Sequence, residues 1–205
     1  MPCLLSLMQS LNVQPVNLVG TTIRLEPLSE AHIEGLSQVM TPDLFRFFGG
    51  IVIRETGQEA VAEYVKARMA LANTLSFVMV LKETNQPVGH SSYMNIRPAD
   101  RVLEIGSTWI AKQYQGTRVN PEAKLLMIQH AFEVLGCVRV ELKTDERNNQ
   151  SRNAMLKLGL VFEGVMRNHS INSDGYVRNS AYYSVIDSEW PAMKTRLEER
   201  LGALE

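Results

Sequence analysis

Strand-forming and helix-forming stretches alternate between residues 102 and 159, and this alternation limits the possible folds more than any other feature of the chain. Apolar and β-branched residues are concentrated in 102–111 and 138–144, whereas helix-forming residues fill 121–135 and 149–158. Two strands that are joined through a helix can run parallel, because the helix carries the chain back to the starting end of the sheet. The sequence therefore predicts a parallel pair of strands in the middle of the chain.

The other strand-forming segments predict antiparallel pairing. Short polar turns separate them, and Ser173, Asp174 and Gly175 contain the Asp-Gly step that is typical of a tight hairpin. Strands are expected at 23–27, 76–81, 87–96, 102–111, 138–144, 162–171 and 176–186. With helices on both faces, these elements give a mixed α/β fold around a twisted, mostly antiparallel sheet of about seven strands.

Capping residues predict where the helices begin. Ser29 and Asn120 each precede a helical pattern of apolar residues, and the series from Thr56 to Glu59 has the spacing of a capping box. Pro121 follows Asn120 directly, and proline is favoured at the first position of a helix. We therefore expect helices that start just after Ser29, Thr56 and Asn120.

Length and composition favour a single folded domain. The chain has 205 residues, of which 45% are hydrophobic and 21% are charged, which is enough apolar material for a core without disulfides. We expect an N-terminal tail over residues 1–18 and one domain over residues 19–205. The tail is apolar, but it carries neither the basic residues nor the small-residue cleavage site of an export signal.

Charge and cysteine usage argue against several classes of protein. The 21 basic and 22 acidic residues give a net charge of -1, and no basic stripe is present that would bind nucleic acid. Cys3 and Cys137 lie far apart and have no neighbours at metal-ligand spacing, so we expect no metal and a reducing, cytoplasmic setting. No apolar run approaches the ~20 residues of a membrane-spanning helix.

A glycine-containing loop between a strand and a helix is the strongest candidate for a binding site. The strand ends near Trp109, the helix begins near Asn120, and Gly116 lies between them. Backbone N–H groups and the positive end of a helix dipole meet at such a junction, where a pyrophosphate can bind. The same arrangement also occurs as an ordinary turn, so the spacing alone leaves both interpretations open.

A second set of residues follows this loop in a fixed order, and the two sets together carry a family resemblance. The loop contains Gln113, Tyr114, Gln115, Gly116, Thr117 and Arg118, and the later set consists of Asn148, Ser151, Leu158, Gly159 and Phe162. This combination resembles the GNAT superfamily of N-acetyltransferases, in particular the branch of ribosomal-protein N-terminal alanine and serine acetyltransferases. The resemblance extends over residues 19–187.

The resemblance implies a transferase that moves an acetyl group from acetyl-CoA to a primary amine by direct attack, without a metal. It also implies that the parallel strands are splayed apart. A protein N-terminal α-amino group is the first choice of acceptor. A small-molecule amine, such as an amino acid, a polyamine or an antibiotic, and a non-catalytic CoA-binding module are the alternatives. Base rates of assembly favour a homodimer.

The resemblance also assigns the contacts to the cosubstrate. Backbone groups of Trp109 and Ile110 would bind the pantetheine arm, and Asn148 would bind it from the other side. The pyrophosphate would lie on Gly116, Thr117, Arg118, Val119 and Asn120. Two residues depart from the family pattern: Arg118 stands in place of a second glycine or alanine, and Met155 stands in place of a tyrosine that protonates the leaving thiolate.

Three residues are candidates for proton transfer. Glu104, on the strand that leads to the loop, is the first candidate for the general base, and His90 on the neighbouring strand is the second. Ser151 could donate a proton to the leaving sulfur. Each has a structural alternative, namely a salt-bridged carboxylate, a hydrogen-bonded histidine and a helix-capping serine.

An aromatic patch precedes the second predicted helix. It consists of Phe45, Phe47 and Phe48, and Gly49 and Gly50 follow it directly. Most of these rings are expected in the core. The glycines beside them would allow the loop to shape the entrance for the acceptor amine.

Overall fold

The computed structural model describes residues 10–49, 53–172 and 174–203, so that Cys3, Gly50 and Ser173 lie outside the described residues. Within this part of the chain, eight strands form one sheet. They are β1 (Leu18–Val19), β2 (Ile23–Pro27), β3 (Leu75–Leu81), β4 (Pro87–Arg97), β5 (Val102–Ile110), β6 (Arg139–Asp145), β7 (Val161–Ile171) and β8 (Val177–Ile186). Their spatial order is β1-β2-β3-β4-β5-β6-β8-β7.

Helices connect the strands and cover the sheet. The α-helices in the described residues are α1 (Ile33–Ser37), α2 (Gln58–Met69), α3 (Val119–Gln129), α4 (Asn149–Leu158) and α5 (Trp190–Gly202). A π-helical turn at His130–Val134 continues α3, and short 3-10 helices lie at Glu30–His32, Pro42–Phe45 and Lys112–Tyr114. The predicted mixed α/β fold is confirmed. The additional strand is β1, whose two residues are too few for a sequence pattern to reveal.

The predicted parallel pair is β5 and β6, and it is short. These strands pair only where Val102, Leu103 and Glu104 face Arg139, Val140 and Glu141. Beyond that point β5 continues along β4 as far as Ile110, and β6 continues along β8 as far as Asp145. The other neighbouring strands are antiparallel, as predicted. The two parallel strands therefore separate and leave an opening in the middle of the sheet.

Two apolar cores lie on opposite faces of the sheet. On β3, Phe77 and Met79 belong to one core while Val78 and Val80 belong to the other, because successive side chains of a strand point to opposite faces. Helices α3, α4 and α5 contribute to the first core, and α1 and α2 contribute to the second. Each fully buried leucine, isoleucine or phenylalanine stabilises the fold by about 1.5–3 kcal/mol relative to an exposed one.

The helix starts agree only in part with the predicted caps. Helix α2 begins at Gln58 with Gly57 as its N-cap, so the capping box predicted from Thr56 is wrong. Helix α3 begins at Val119 with Arg118 as its N-cap, so the predicted cap at Asn120 is wrong as well. The N–H groups of the first turn need no intrahelical acceptor, which is why Pro121 is tolerated inside that turn and does not mark its first position.

A lysine is buried under the sheet, and no carboxylate among the described residues lies beside its amino group. Lys124 lies on α3 and is 3% exposed, and its Nζ donates to Ser91 Oγ at 3.1 Å and to Thr108 Oγ1 at 2.7 Å. Burial lowers the pKa of Lys124 to about 7. The two hydroxyls also bond each other at 2.8 Å, so they keep a partner if the lysine is removed.

We predict that Lys124→Met stabilises the protein at pH 7.5 by about 2 kcal/mol, because an apolar side chain of similar length avoids the cost of burying a group that is protonated in the unfolded chain. The pKa of the lysine is about 10.4 in the unfolded chain, so between pH 7 and 10 the unfolded state binds the proton more strongly. The wild type therefore gains stability as the pH rises through this window. Urea unfolding at pH 7.5 and pH 10 measures both effects.

The matched control is Lys157→Met on α4, where the lysine is exposed. It removes the same charge from the surface and should change the unfolding free energy by less than about 0.5 kcal/mol at either pH. Two results would show that burying Lys124 does not cost stability. One is a Lys124→Met variant that is less stable than the wild type at pH 7.5, and the other is a gain in its unfolding free energy that persists at pH 10.

Candidate active site

The opening between β5 and β6 exposes a strand edge. The ladder between these strands ends at Glu104 and Glu141, so the rest of β5 has strand β4 on one side and the opening on the other. The carbonyl of Trp109 faces β4, where a Cβ on Gly89 would come within 2.6 Å of it. The carbonyl of Ile110 instead accepts a hydrogen bond from Gln115 Nε2 at 3.0 Å. Ile110 is therefore the residue of this pair whose carbonyl is turned away from β4.

The loop after β5 leads directly into the N-terminus of α3. Gly116 has a φ of 78°, and a Cβ added there would meet no heavy atom of the protein within 4 Å, so the space in front of the loop is open. Thr117 Oγ1 donates to the carbonyl of Tyr114 at 2.7 Å and accepts from the N–H of Val119 at 3.3 Å. The loop thus presents backbone N–H groups and the positive end of the helix dipole to an open space, which suits an anion.

Arg118 is held along its own helix. Its Nε lies 3.8 Å from Oε2 of Glu122, one turn further on, and Glu122 is itself buried. The other oxygen of Glu122 accepts from the N–H of Thr22 at 2.9 Å, which ties α3 to the start of β2. Val119 is buried and Asn120 is half-buried at the start of α3. A phosphate contact from Arg118 would therefore compete with its pairing to Glu122.

A second helix N-terminus lies close to the loop. Asn148 is the N-cap of α4, and its Oδ1 accepts from the N–H of Ser151 at 3.1 Å. Gln150 Nε2 donates to Gln115 Oε1 at 3.2 Å, which links the start of α4 to the loop before α3. The start of α4 is therefore placed near the same opening. The amide nitrogen of Asn148 can still donate a hydrogen bond while its oxygen caps the helix.

Glu104 is buried at the last paired position before the opening. Its side chain is 4% exposed, and its Oε2 accepts from Lys143 Nζ at 2.7 Å and from Asn95 Nδ2 at 2.7 Å. Its Oε1 lies beside Gly106, where an added Cβ would stand only 3.0 Å away. One oxygen of the carboxylate is thus held by two donors, and the other lies next to a residue without a side chain.

A polar surface extends from Glu104 across β6 and β8 to β7. Lys143 Nζ lies 5.7 Å from the ring centre of Tyr182, and Tyr182 Oη lies 3.0 Å from His169 Nε2. His169 Nδ1 lies 3.0 Å from Ser180 Oγ. Burial lowers the pKa of His169 and raises the pKa of Tyr182, so both side chains are neutral near pH 7. These partners were not predicted from the sequence, although polar residues at every second position of β6 indicate a polar face.

His90 lies deeper and makes different contacts. It is fully buried, and its Nδ1 donates to the carbonyl of Ser107 at 2.9 Å. Its ring stacks on Trp109 and meets the edge of Tyr64. Burial, together with the positive charge of Arg68, lowers the pKa of His90 to about 3. The imidazole is therefore neutral throughout the physiological range.

The aromatic patch lies partly in the second core and partly beside the polar surface. Phe45 is buried and packs against Phe48 and Trp109, with ring centres 5.1 Å and 5.9 Å away. The carbonyl of Phe47 accepts from Arg178 Nη1 on β8 at 3.2 Å. The segment thus spans from the second core to the strand that carries Tyr182, and it borders the polar surface.

Most of the predicted site residues meet at one opening. The loop at Gly116, the start of α4 and Glu104 all border the point where β5 and β6 separate. Across the described ranges, no three His, Cys, Asp or Glu side chains are grouped so that they could hold a metal ion. None of the helices described here has the length and apolar character needed to cross a bilayer.

Curated proteins with similar sequences are acetyltransferases by name. The ribosomal-protein-serine acetyltransferase of Escherichia coli (strain K12) is 28% identical over 111 residues, which is 54% of this chain and 61% of that protein. YdaF of Bacillus subtilis (strain 168), named as a candidate ribosomal N-acetyltransferase, is 32% identical over 106 residues, which is 52% of this chain and 57% of that protein. The matched region spans less than two thirds of either relative.

Solved structures and a family comparison extend the similarity to most of the chain. A GCN5-related N-acetyltransferase from Brucella melitensis is similar in structure with a TM-score of 0.88 and 28% identity, covering 96% of this chain and 90% of that chain. The sequence model of the acetyltransferase (GNAT) domain matches residues 22–161, which is more than half of the chain. The chain therefore belongs to the GNAT acetyltransferase family.

Proposed function

We propose that this protein transfers the acetyl group of acetyl-CoA to the α-amino group of a protein N-terminus. The observation that carries the proposal is the opening between β5 and β6, which has a helix start suited to an anion at one side and a buried carboxylate, Glu104, at the end of the ladder. Family membership supports acetyl-CoA as the donor. The names of the ribosomal-protein relatives support a protein acceptor.

The chain offers fitting groups for acetyl-CoA along the opening. The backbone N–H groups of Gly116, Thr117, Arg118, Val119 and Asn120 would hold the pyrophosphate. The free edge of β5 at Trp109 and Ile110 would bind the pantetheine arm as an added strand, with Ile110 better placed because the Trp109 carbonyl faces Gly89. The Asn148 amide nitrogen would donate from the α4 side. When bound, the cosubstrate supplies the thioester that is attacked.

The acceptor amine must lose a proton before it attacks. Glu104 would accept this proton at Oε1 directly or through water, because Oε2 already receives bonds from Lys143 and Asn95. An α-amino group has a pKa of about 8 and a lysine about 10.4, so the α-amine needs less help near neutral pH. Ser151 remains the proposed donor to the leaving thiolate, which can also depart unassisted because a thiol pKa is about 8.5.

A panel of acceptors tests the proposed reaction. We expect CoA thiol release from acetyl-CoA with peptides that begin with serine or alanine. The same peptides with a blocked α-amine and a free internal lysine should be inactive, as should small polyamines. Turnover only with small amines would instead identify a small-molecule acetyltransferase. Tight acetyl-CoA binding without thiol release on any acceptor would identify a CoA-binding module.

A second prediction concerns the cosubstrate loop at Gly116. Gly116→Val should weaken acetyl-CoA binding about tenfold or more, because the new side chain enters the open space in front of the N–H groups and disfavours the positive φ. Isothermal titration calorimetry measures the affinity. The matched control is Gly175→Val on the β7–β8 hairpin, where φ is 82° and the space is equally open. Equal acetyl-CoA affinities in the two folded variants would show that the loop is not part of the cosubstrate site.

A third prediction concerns Glu104, the proposed general base. Glu104→Gln keeps the shape and the bond from Asn95 but cannot take up a proton, so kcat should fall by about 10²-fold or more, with partial recovery at higher pH. Recovery is expected because alkaline solution deprotonates the amine without the enzyme. Acetyl-CoA affinity should change little. Steady-state kinetics from pH 6.5 to 9.5 with the peptide acceptor measure these effects.

The control for Glu104 is its partner across the parallel ladder. Glu141 is ion-paired with Arg97 and Arg139, and Glu141→Gln removes a carboxylate at the same level of the sheet. This variant should keep kcat within about threefold of the wild type. Full activity of Glu104→Gln across the pH range, on a verified acceptor, would make Glu104 a structural residue.

A further inference from the structure

Strand β5 contains a bulge at Ser107. The pairing with β4 passes from His90 opposite Trp109 to Ser92 opposite Gly106, so that Ser107 and Thr108 together face the single residue Ser91. Ser107 has a φ of 49°, in the left-handed region that residues with a side chain rarely adopt. A strained non-glycine residue persists only when its surroundings hold it in place.

The bulge changes which side chains of β5 share a face. Before it, Leu103 and Ile105 belong to the core formed with α3, α4 and α5. After it, the odd-numbered residues Trp109 and Ala111 belong to the core formed with α1 and α2. Alternation along a regular strand would keep all four on one face, so the bulge shifts the alternation by one residue.

This shift determines how the side chain of Glu104 is oriented relative to the end of β5. Even-numbered Glu104 lies opposite to Leu103 and Ile105, and it therefore shares a face with Trp109 only because of the bulge. Without the bulge, the side chains of Glu104 and Trp109 would lie on opposite faces of the sheet. The geometry of the proposed proton acceptor thus depends on the backbone at Ser107.

His90 is the side chain that holds this backbone. Its Nδ1 donates to the carbonyl of Ser107 at 2.9 Å, and its ring is fixed between Trp109 and Tyr64. The charged side chains that act on it are both cationic, Arg68 from α2 and Lys124 from α3, and together with burial they disfavour a protonated ring. A neutral imidazole has a single N–H, and the carbonyl of Ser107 places that hydrogen on Nδ1.

We propose that His90 is a positioning residue, which fixes the bulge at Ser107 and thereby sets the orientation of Glu104 relative to the acetyl-CoA edge of β5. The inference rests on the proposed acetyl transfer. In this role His90 neither touches the acceptor nor exchanges protons with it. Its contribution is the hydrogen bond from one ring nitrogen to one backbone carbonyl.

Two amide variants separate the ring nitrogens. The side-chain nitrogen of asparagine is attached to Cγ, as Nδ1 of histidine is, whereas the nitrogen of glutamine lies one atom further out, near the place of Nε2. His90→Asn should therefore keep the bond to Ser107 and retain kcat within about threefold, while His90→Gln should lose kcat about tenfold or more. Glutamine fills more of the ring's volume, so a loss of packing alone would produce the opposite order.

The pH profile and the acetyl-CoA affinity complete this comparison. His90→Asn should keep both limbs of the wild-type profile of kcat/KM, because no proton passes through the ring. Acetyl-CoA affinity should fall less than kcat in His90→Gln, because His90 contacts the strand end at Trp109 but not the loop at Gly116 that would hold the pyrophosphate. Loss of one limb in both variants would make His90 a base and overturn the proposal. Equal kcat values for the asparagine and glutamine variants would overturn it as well.

A glycine at the bulge provides an independent test. Ser107→Gly adopts a positive φ without strain, so the bulge no longer needs the hydrogen bond. The double variant His90→Gln with Ser107→Gly should regain most of the kcat that His90→Gln loses. No recovery in a folded double variant would contradict the positioning role.

Thermal unfolding keeps the inference testable if the proposed function fails. A wild type that releases no CoA thiol with any acceptor would reject the acetyl transfer, but not the hydrogen bond between His90 and Ser107. In that case the melting temperatures should still rank wild type above His90→Asn and His90→Asn above His90→Gln. Adding Ser107→Gly should raise the melting temperature of His90→Gln. Any other order of melting temperatures would overturn the assignment of His90 to the bulge.

Discussion

The short ladder between β5 and β6 governs the whole site. Both strands are hydrogen-bonded along their outer edges, β5 to β4 and β6 to β8, so neither can move to close the gap beyond Glu104 and Glu141. The connection from β5 to β6 runs through α3, and the loop before this helix begins where β5 ends. The open strand edge, the helix dipole and the buried carboxylate therefore arise from one topological constraint.

Several groups that cost stability are concentrated around β4 and β5. Lys124 is buried with only hydroxyls as hydrogen-bond partners, and Arg68 is buried with Ser92 as a hydrogen-bond partner. Ser107 has a positive φ in the same part of the sheet. Proteins tolerate such groups where function requires them and recover the stability elsewhere. Here the two large apolar cores supply that stability, and the strained strand is the one that carries Glu104.

The sequence predicts best what local signals determine. Helix α4 spans the residues expected for it, because Asn148 caps its first turn and Gly159 ends it in the left-handed conformation. The partners of Glu104 could not be predicted, because Lys143 comes from a strand that is far away in sequence. The bulge at Ser107 has no local signal either, since its strain is balanced by a hydrogen bond from His90 on another strand. Topology was therefore predictable and side-chain pairing across strands was not.

The pairing of Glu104 with Lys143 determines which carboxylate oxygen would meet an acceptor amine. Lys143 Nζ and Asn95 Nδ2 both donate to Oε2, so the proposed reaction would use Oε1. An acceptor amine that releases its proton easily reduces the barrier, and an α-amino group with a pKa of about 8 does so more readily than a lysine at about 10.4. The proposed α-amino acceptor therefore rests on the low proton affinity of that amine, in addition to the names of the relatives.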